Sequence, residues 1–429
     1  MSLNRKPQIG ILGLWHLGCV YATALADLGY FVTGFDLDAK TIAELNKSHS
    51  PLSEPGLEEL LKKHLNRRLV FSSSPQAAIK NKPYIFVCVD VPVDDQDRGD
   101  MRPVNDLFSL IRKHASPKST VVISSQVPVG TCRKLQQRLI KNNINVIYFP
   151  ENLRLGQAYE TFLRPDRIIL GVFQESTALK FLTDFPHFDC PVLTMSWESA
   201  EMVKHALNSY LATNISFISE MGDLCELVGA NLNDVIKALK TDNRVSPNAP
   251  FNPGTGFAGG TLGRDIQVLR HLSRRSHHQI LLLDSVYRVN QNRLSQLLKK
   301  IKSVYPNLHH KKIGLLGLTY KPGTNTLRRS KSLELANALY KLGATLKAFD
   351  PAISQSISTH PSIKISTTLD GFFFGLDMAI IMTPWPQFIS LSPSALRPMR
   401  QKVIIDTVNI LNADDFTTAG ITYLGTGYV

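Results

Sequence analysis

The stretch Gly13-Leu14-Trp15-His16-Leu17-Gly18 follows a short apolar run, Gln8 to Leu12, and precedes a helical stretch from Val20 to Gly29. A glycine-containing turn between a strand and a helix is typical of the start of a βαβ unit. The next apolar run, Tyr30 to Phe35, predicts a second strand beside the first. The stretch therefore predicts a Rossmann-like domain with a parallel sheet at the beginning of the chain.

The same turn predicts a binding site for a dinucleotide. Gly13 makes the tight turn, Gly18 lets the helix pack closely on the strand, and the unpaired amides of the helix N-terminus can bind a pyrophosphate. Asp36 ends the second strand, 23 residues beyond Gly13, where its carboxylate can accept hydrogen bonds from both ribose hydroxyls. A carboxylate in that place repels a 2′-phosphate, so the sequence favours NAD over NADP.

Trp15, His16 and Leu17 complete the predicted cofactor turn. Trp15 stands in the place of the middle glycine of the dinucleotide fingerprint, where the backbone approaches the pyrophosphate. It leaves room for the cofactor only if its side chain turns away. The alternative is a Rossmann-like half that binds no cofactor and uses Trp15 for packing.

Strand-like and helical runs alternate over most of the chain, which predicts parallel sheets covered on both faces. The further strand-like runs are Arg68–Phe71, Tyr84–Val89, Thr120–Ser124, Val146–Phe149, Arg167–Leu170, Ile313–Leu316, Thr345–Phe349, Asp377–Met382 and Val403–Asp406. From about Trp197 to Leu239 the pattern is helical, with apolar residues three and four apart. The predicted class is α/β: two doubly wound Rossmann-like domains, 1–198 and 306–429, joined by a long helical middle region, 199–305.

The composition restricts the possible partners. The 429-residue chain carries a formal net charge of +13, which favours polyanionic ligands such as dinucleotides and nucleoside diphosphates. Its basic clusters lack interleaved aromatic residues, which argues against nucleic acid. No apolar run reaches the roughly 18 residues of a membrane span. The short polar start resembles neither a signal nor a transit peptide, so we expect a cytoplasmic protein. Five scattered cysteines indicate free thiols and offer no metal site.

Several motifs occur in a fixed order along the chain. They are Val127-Pro128-Val129-Gly130-Thr131, Pro150-Glu151-Asn152-Leu153-Arg154, Pro165-Asp166-Arg167-Ile168-Ile169, Lys204 with Asn208, Gly256 to Asp265, and Gly317-Leu318-Thr319-Tyr320-Lys321-Pro322 followed by Thr324, Arg328 and Ser330. Their order and spacing resemble those of the UDP-glucose/GDP-mannose dehydrogenases over nearly the whole chain. The chain is identified as a member of that family, with 306–429 as the nucleotide-sugar domain.

The resemblance implies hydride transfer from a nucleotide sugar to NAD. Family enzymes oxidise the C6 alcohol twice, and a cysteine captures the intermediate aldehyde before it becomes a thioester. Lys204 and Asn208, four apart on one helical face, would stabilise the oxygen that gains negative charge or position a water. Asp265 would act as a base for that water or orient Lys204, and Glu151 remains as a candidate acid or base.

The resemblance also implies the ligand contacts. Val89 and Arg328 would contact the cofactor. Arg244, Tyr320 and Lys321 would bind the substrate together with residues of the segment 251–260, namely Phe251, Gly254, Gly256, Phe257, Gly259 and Gly260. Glycine amides can approach a diphosphate while Lys321 supplies a point charge. An ordinary glycine-rich turn is the alternative for this segment. In related enzymes the arginine at Arg244 reaches the partner subunit, so we expect a homodimer.

Three departures from the family pattern fall on the chemistry. Thr261 holds the place of the cysteine nucleophile, and a hydroxyl has a far higher pKa than a thiol. Gln126 replaces a threonine that in the family helps to bind the catalytic water. Leu155 replaces the second glutamate of the Pro-Glu-Phe-Leu-Arg-Glu motif. The sequence therefore predicts an atypical member that lacks the groups for covalent capture.

The retained groups are sufficient for one hydride transfer, so we expect a single two-electron oxidation of a UDP- or GDP-sugar, at C6 or at a ring carbon such as C4. If the resulting keto sugar were reduced again from its other face, the protein would be an epimerase with NAD held tightly. Two further alternatives stay open. One is a four-electron dehydrogenase that hydrates its aldehyde without a covalent step, and the other is a pseudo-enzyme that binds nucleotide sugar without chemistry.

Overall fold

Two β-sheets, one in each half of the chain, organise the fold. The computed structural model describes residues 6–52, 54–94, 96–150, 153–258, 260–354 and 362–428. The chain divides into two compact units, Met1–Ala206 and Leu207–Val429. The division into three domains anticipated from the sequence stays a prediction.

The first unit contains an eight-stranded sheet with helices around it. Its strands are β1 (Gln8–Leu12), β2 (Phe31–Phe35), β3 (Leu69–Phe71), β4 (Tyr84–Val87), β5 (Thr120–Ile123), β6 (Asn145–Tyr148), β7 (Ile168–Gly171) and β8 (Val192–Met195). Its helices are α1 (His16–Asp27), α2 (Ala39–Leu45), α3 (Leu57–His64), α4 (Pro75–Ile79), α5 (Arg102–His114), α6 (Thr131–Leu139), α7 (Ala158–Leu163) and α8 (Glu175–Asp184).

The strand order of this sheet, β3-β2-β1-β4-β5-β6-β7-β8, reverses direction at β1. Alternate residues of each strand enter two different buried clusters. On β4, for example, Tyr84 and Phe86 join one cluster, whereas Ile85 and Val87 join the other. Both faces are therefore covered, as a parallel sheet requires. Ligands of such sheets bind where the strand order reverses, at the carboxyl ends of the strands, which here means the ends of β1 and β4.

The long helix α9 (Trp197–Val228) runs from the first unit into the second. The second unit continues with α10 (Leu232–Thr241), α11 (Leu262–Arg275) and α12 (Leu281–Val304). Its sheet has the order β11-β10-β9-β12-β13-β14. The strands are β9 (Lys312–Leu316), β10 (Thr345–Phe349), β11 (Ile363–Ile365), β12 (Met378–Ile381), β13 (Val403–Asp406) and β14 (Thr422–Gly425), and the helices α13 (Lys331–Lys341), α14 (Leu369–Phe372), α15 (Pro386–Ile389) and α16 (Ala413–Thr418).

The predicted α/β class, with two Rossmann-like sheets and a helical middle region, is confirmed. Strands β8, β11 and β14 were not predicted from the sequence. All three are edge strands of their sheets. The strands pair in parallel except β6 and β7, which meet antiparallel at Tyr148 and Gly171. Within the described residues, no helix has both the length and the apolar character of a membrane span.

Candidate active site

The cofactor turn begins where β1 ends. The Gly13 amide donates to the Phe35 carbonyl on β2 at 2.9 Å, which fixes the turn against the neighbouring strand. Gly13 has φ +89°, and a Cβ atom there would lie 2.5 Å from the backbone of Val89. Only glycine fits this position without strain. The turn therefore lies against Val89, one of the residues predicted to contact the cofactor.

Asp36 is bound to the same turn. One carboxylate oxygen accepts the Leu14 amide at 2.5 Å and the other accepts the Asp38 amide at 2.8 Å. The carboxylate is partly exposed, and its two oxygens offer about four acceptor sites in all. Acceptor capacity therefore remains for ribose hydroxyls. His16 is the first residue of α1, so the helix begins within the cofactor turn. Leu17 and Gly18 belong to the first helical turn.

Trp15 precedes α1 with φ −63° and is 45% exposed. Its backbone conformation needs no glycine, and its carbonyl accepts the Cys19 amide at 2.9 Å, which is the first hydrogen bond of the helix. About half of the side chain is thus covered by the protein, and the remainder faces solvent. This exposure is consistent with an indole that turns away from the backbone.

The segment that carries Gln126 is attached to the cofactor turn and to α9. The Ser125 hydroxyl donates to the Val89 carbonyl at 2.7 Å. On the other side, His205 Nε2 donates to the Val127 carbonyl at 3.0 Å. His205 follows Lys204, which is buried on the same turn of α9. The structure thus holds Gln126 and Lys204 in adjoining parts of the first unit.

Glu201 strengthens this attachment. Its fully buried carboxylate accepts the Gly130 amide at 2.5 Å and the Cys132 amide at 2.8 Å, at the N-terminus of α6. Burial raises the pKa of this carboxyl, although the two amides oppose the rise. Glu201 and His205 could not be recognised from local sequence patterns, because their partners are more than 65 residues away along the chain.

In the second unit, Asn208 and Asp265 meet. The Asn208 amide nitrogen on α9 donates to the Asp265 carboxylate on α11, and both side chains are buried. Thr261 is the N-cap residue of α11, but its side chain makes no capping hydrogen bond and is exposed. Thr261 and Asp265 therefore lie one turn apart at the start of the same helix. The backbone N–H of Asp265 donates a hydrogen bond to the Thr261 carbonyl oxygen, with 3.1 Å between the two atoms.

The side chain of Asn290 on α12 forms hydrogen bonds with the backbone of the predicted substrate segment. Its side chain accepts the Phe257 amide at 2.8 Å and donates to the Phe257 carbonyl at 3.1 Å. A Cβ atom on Gly256 would lie 2.2 Å from the Asn290 side-chain oxygen, so this approach depends on glycine. Nothing in the local sequence pattern of α12 points to Asn290, since it sits among other polar residues of a helix.

Phe251 and Phe257 are anchors of that segment. Phe251 packs with Ile218, Cys225 and Leu232, and Phe257 packs in a second buried cluster. Both rings are less than 10% exposed, at 7% and 6%. Their position favours a role in shaping the segment over direct contact with a ligand.

The other predicted substrate residues are spread over the second unit. A Cβ atom on Gly254 would lie 3.9 Å from Val408, just beyond the carboxyl end of β13. Tyr320 and Lys321 follow β9 at the same edge of the sheet. Arg328, which was predicted to contact the cofactor, is exposed beyond them. Gly260 precedes Thr261. Arg244 is exposed, and its guanidinium pairs with the Asp242 carboxylate at 2.7 Å. Glu151 and Gly259 lie outside the described residues.

A doubly wound sheet with this cofactor turn is typical of a dinucleotide-binding domain, and comparison with known proteins identifies the class of enzyme. Three models of the UDP-glucose/GDP-mannose dehydrogenase family match the chain: the NAD binding domain over 7–185, the central domain over 198–292 and the UDP binding domain over 314–413.

The similarity extends over the full length of known relatives. UDP-glucose 6-dehydrogenase YwqF of Bacillus subtilis (strain 168) is 33% identical, over 98% of this chain and 97% of its own. UDP-glucose 6-dehydrogenase of Rickettsia conorii is also 33% identical, over 98% and 99%. The structure of a UDP-glucose dehydrogenase from Pyrobaculum islandicum superposes with a TM-score of 0.91 at 28% identity, covering 100% of this chain and 99% of that one.

The chain belongs to the UDP-glucose/GDP-mannose dehydrogenase family. It is an NAD-dependent oxidoreductase, as predicted from the turn and Asp36. The residues at the turn fit the cofactor, because the glycine, the helix start and the partly open carboxylate are all present.

Proposed function

We propose that this protein transfers a single hydride from a UDP-linked sugar to NAD and forms no thioester. The observation that carries the proposal is Thr261. It stands in the place of the family's cysteine nucleophile, exposed at the N-cap of α11, next to a retained, buried Asn208–Asp265 pair. A threonine hydroxyl is too weakly acidic to capture an aldehyde as a cysteine thiolate does. The UDP binding domain model that matches 314–413 favours UDP over GDP.

The proposed roles are those that the family resemblance implies for these residues. NAD accepts the hydride. Lys204, with its buried ammonium, stabilises the oxygen of the reacting alcohol as negative charge develops. Asp265, held by Asn208, supplies or removes a proton. Tyr320 and Lys321, at the carboxyl edge of the second sheet, bind the diphosphate.

A second candidate is the four-electron oxidation to a uronic acid. The observation that favours it is the name of the relatives, which are UDP-glucose 6-dehydrogenases similar over almost the full chain. In that case the aldehyde would be hydrated by a water instead of being captured by Thr261.

The ratio of NADH to consumed sugar distinguishes these candidates. Purified protein is incubated with NAD and a panel of UDP-sugars, NADH is followed by absorbance, and the products are identified by mass spectrometry. We expect one NADH per sugar and a carbonyl product. Two NADH per sugar would support the four-electron reaction instead. An isomerised sugar without net NADH would support an epimerase, and binding without turnover a pseudo-enzyme.

We further propose a homodimer that forms along α9. Apolar side chains are exposed at near-heptad spacing on one side of this helix: Tyr210, Phe217, Leu224, Leu227 and Val228. Leu227 and Val228 are 80% and 77% exposed, which is unusual for adjacent large apolar residues. Leu224→Glu with Leu227→Glu should yield a monomer in light scattering, whereas Phe374→Glu, on another exposed apolar residue, should leave the dimer intact. A dimer in both variants would remove α9 from the interface.

A further inference from the structure

One buried carboxylate connects the cofactor turn to a distant segment of the first unit. Glu54 Oε1 lies 2.7 Å from His16 Nε2, and the two side chains are 1% and 17% exposed. The same carboxylate accepts the Gly156 amide at 2.8 Å and the Ala158 amide at 3.3 Å. Glu54 precedes α3, His16 opens α1, and Ala158 opens α7. Three separate segments therefore share one carboxylate.

The surroundings keep this carboxylate ionised. Burial raises the pKa of Glu54, but the hydrogen bonds from His16, Gly156 and Ala158 outweigh that effect, and the net pKa is lowered. A buried charge is costly unless it is fully hydrogen-bonded. Because three donors share one carboxylate, its position depends on all of them, so movement of one partner changes the geometry of the other two bonds.

The partners of Glu54 lie beside two parts of the chain with predicted functional roles. His16 is the first residue of the helix whose N-terminal amides bind the pyrophosphate. Gly156 directly follows the Pro150–Leu155 motif, which is the counterpart of the family's acid/base motif, and Ala158 lies two residues further on. No role proposed above uses Glu54.

We propose that Glu54 is a positioning residue that couples NAD binding at the first turn of α1 to the placement of the segment after Pro150–Leu155. Through His16 it fixes the first turn of α1, and through Gly156 and Ala158 it fixes that segment. The inference requires NAD at this turn. It does not depend on which sugar is oxidised or how often, so its tests can fail while the proposed reaction holds.

The binding test compares His16→Leu, His16→Gln and Glu54→Gln in the full-length protein. A lost hydrogen bond to a buried charge should weaken NAD binding by about tenfold in His16→Leu and Glu54→Gln, measured by calorimetry. His16→Gln keeps a side-chain N–H donor and should retain most of the affinity. Affinity for UDP should be unchanged in all three. If Glu54→Gln does not fold, the two His16 variants still decide, because they leave the Gly156 and Ala158 contacts in place.

A matched control exists in the same unit. Glu44 and His49 also form a carboxylate–imidazole pair, at 3.2 Å, but on the surface. Glu44→Gln should leave NAD affinity within about twofold of the wild type, since exposed pairs contribute little. Equal NAD affinity in wild type, His16→Leu and Glu54→Gln would overturn the proposal.

Hydrogen exchange tests the coupling itself, which a purely structural role would not produce. Addition of NAD should slow exchange of the Gly156 and Ala158 amides in the wild type and leave their exchange unaffected in His16→Leu. If NAD leaves those amides unchanged in the wild type, Glu54 does not couple the two segments. If NAD protects them equally in His16→Leu, the coupling does not pass through His16.

Discussion

In both sheets, the strand that comes first in the chain is followed by almost the same turn. The first has Gly10-Ile11-Leu12-Gly13-Leu14 at the end of β1, and the second has Gly314-Leu315-Leu316-Gly317-Leu318 at the end of β9. Gly13 and Gly317 have φ of +89° and +91°. Each donates its amide to the last residue of the adjacent strand, at 2.9 Å and 2.8 Å. In both units an aspartate follows that strand.

The two aspartates differ in what they can still bind. Asp36 accepts two amides, from Leu14 and Asp38, and is partly exposed. Asp350 is 3% exposed and accepts hydrogen bonds from the amides of Leu318, Thr319 and Ala352, the Thr319 hydroxyl and the Trp385 indole. The first carboxylate is available to a ribose, whereas protein donors already fill the second.

The helix that follows differs as well. In the first unit α1 starts within the turn, at His16, so its free amides lie beside Gly13. In the second unit α13 starts only at Lys331, well after Gly317. A glycine turn followed by an aspartate is therefore common to both units. A partly open carboxylate and an immediate helix start distinguish the first unit, and both features favour dinucleotide binding there.

The strongest test of this contrast is Asp350→Asn. The new amide nitrogen would face donors that now bind a buried carboxylate, so the free energy of unfolding should fall by about 2–4 kcal/mol. Urea unfolding measures this change. NAD affinity of the folded variant should equal that of the wild type. If the free energy of unfolding fell by less than about 0.5 kcal/mol, the buried Asp350 carboxylate would not stabilise its unit as proposed.

Lys204→Ala sharpens the contrast by separating chemistry from cofactor binding in the first unit. If Lys204 stabilises the developing oxyanion, turnover should drop by about 10²-fold or more. The dissociation constant for NAD should stay near the wild-type value, because the cofactor turn is formed by other residues. Steady-state kinetics and calorimetry give the two quantities. An unchanged turnover rate would remove Lys204 from the mechanism.

Asp36→Ala addresses the open carboxylate. Loss of the charged hydrogen bonds to the ribose should raise the dissociation constant for NAD by about 10- to 100-fold. Stability should change little, since the side chain is partly exposed. UDP affinity serves as the control and should not change. If NAD bound as tightly to the variant, Asp36 would be as uninvolved in ligand binding as Asp350.

Local sequence patterns predicted the parts of the fold and site that depend on local chemistry. The β1–turn–α1 unit and Asp36 followed from spacing, and the bounds of β10 and β13 agree with the apolar runs. β13 is buried throughout, and β10 alternates buried residues with exposed or partly exposed ones. A continuous apolar run and a two-residue alternation are both visible in the sequence. The edge strand β8 was missed because half of its residues are exposed and its apolar pattern is weak.

Contacts between distant residues could not be predicted in this way. Asn290 holding Phe257, Glu201 capping α6 and Glu54 joining His16 to Gly156 each connect residues far apart in the chain. Periodicity describes one element at a time and carries no information on which elements meet. The burial of Phe251 and Phe257 was likewise visible only once α9, α10 and α12 were packed together.

The smallest expected difference between the two units is in how their stability responds to low pH. In the first unit, Asp27 accepts hydrogen bonds from Lys63, His64 and Tyr159, each at 2.7 Å. Burial raises its pKa, but these bonds outweigh burial and lower the pKa from 3.8 to about 2. In the second unit, burial raises the pKa of Asp406 despite its amide partners. Acid therefore removes a favourable interaction from the first unit and relieves an unfavourable charge in the second.

The sign of the effect makes Asp27→Asn a useful variant. Because the folded pKa lies below the unfolded one, the stabilisation by Asp27 is fully present above pH 4 and disappears as the pH falls toward 2. The variant should be less stable than the wild type by under about 1 kcal/mol near neutral pH, since the Lys63 partner is exposed. Urea unfolding between pH 2 and 6 should show the two proteins converging at the acid end. A gap that stays constant over this range would mean that the Asp27 carboxylate does not set the acid response of the first unit.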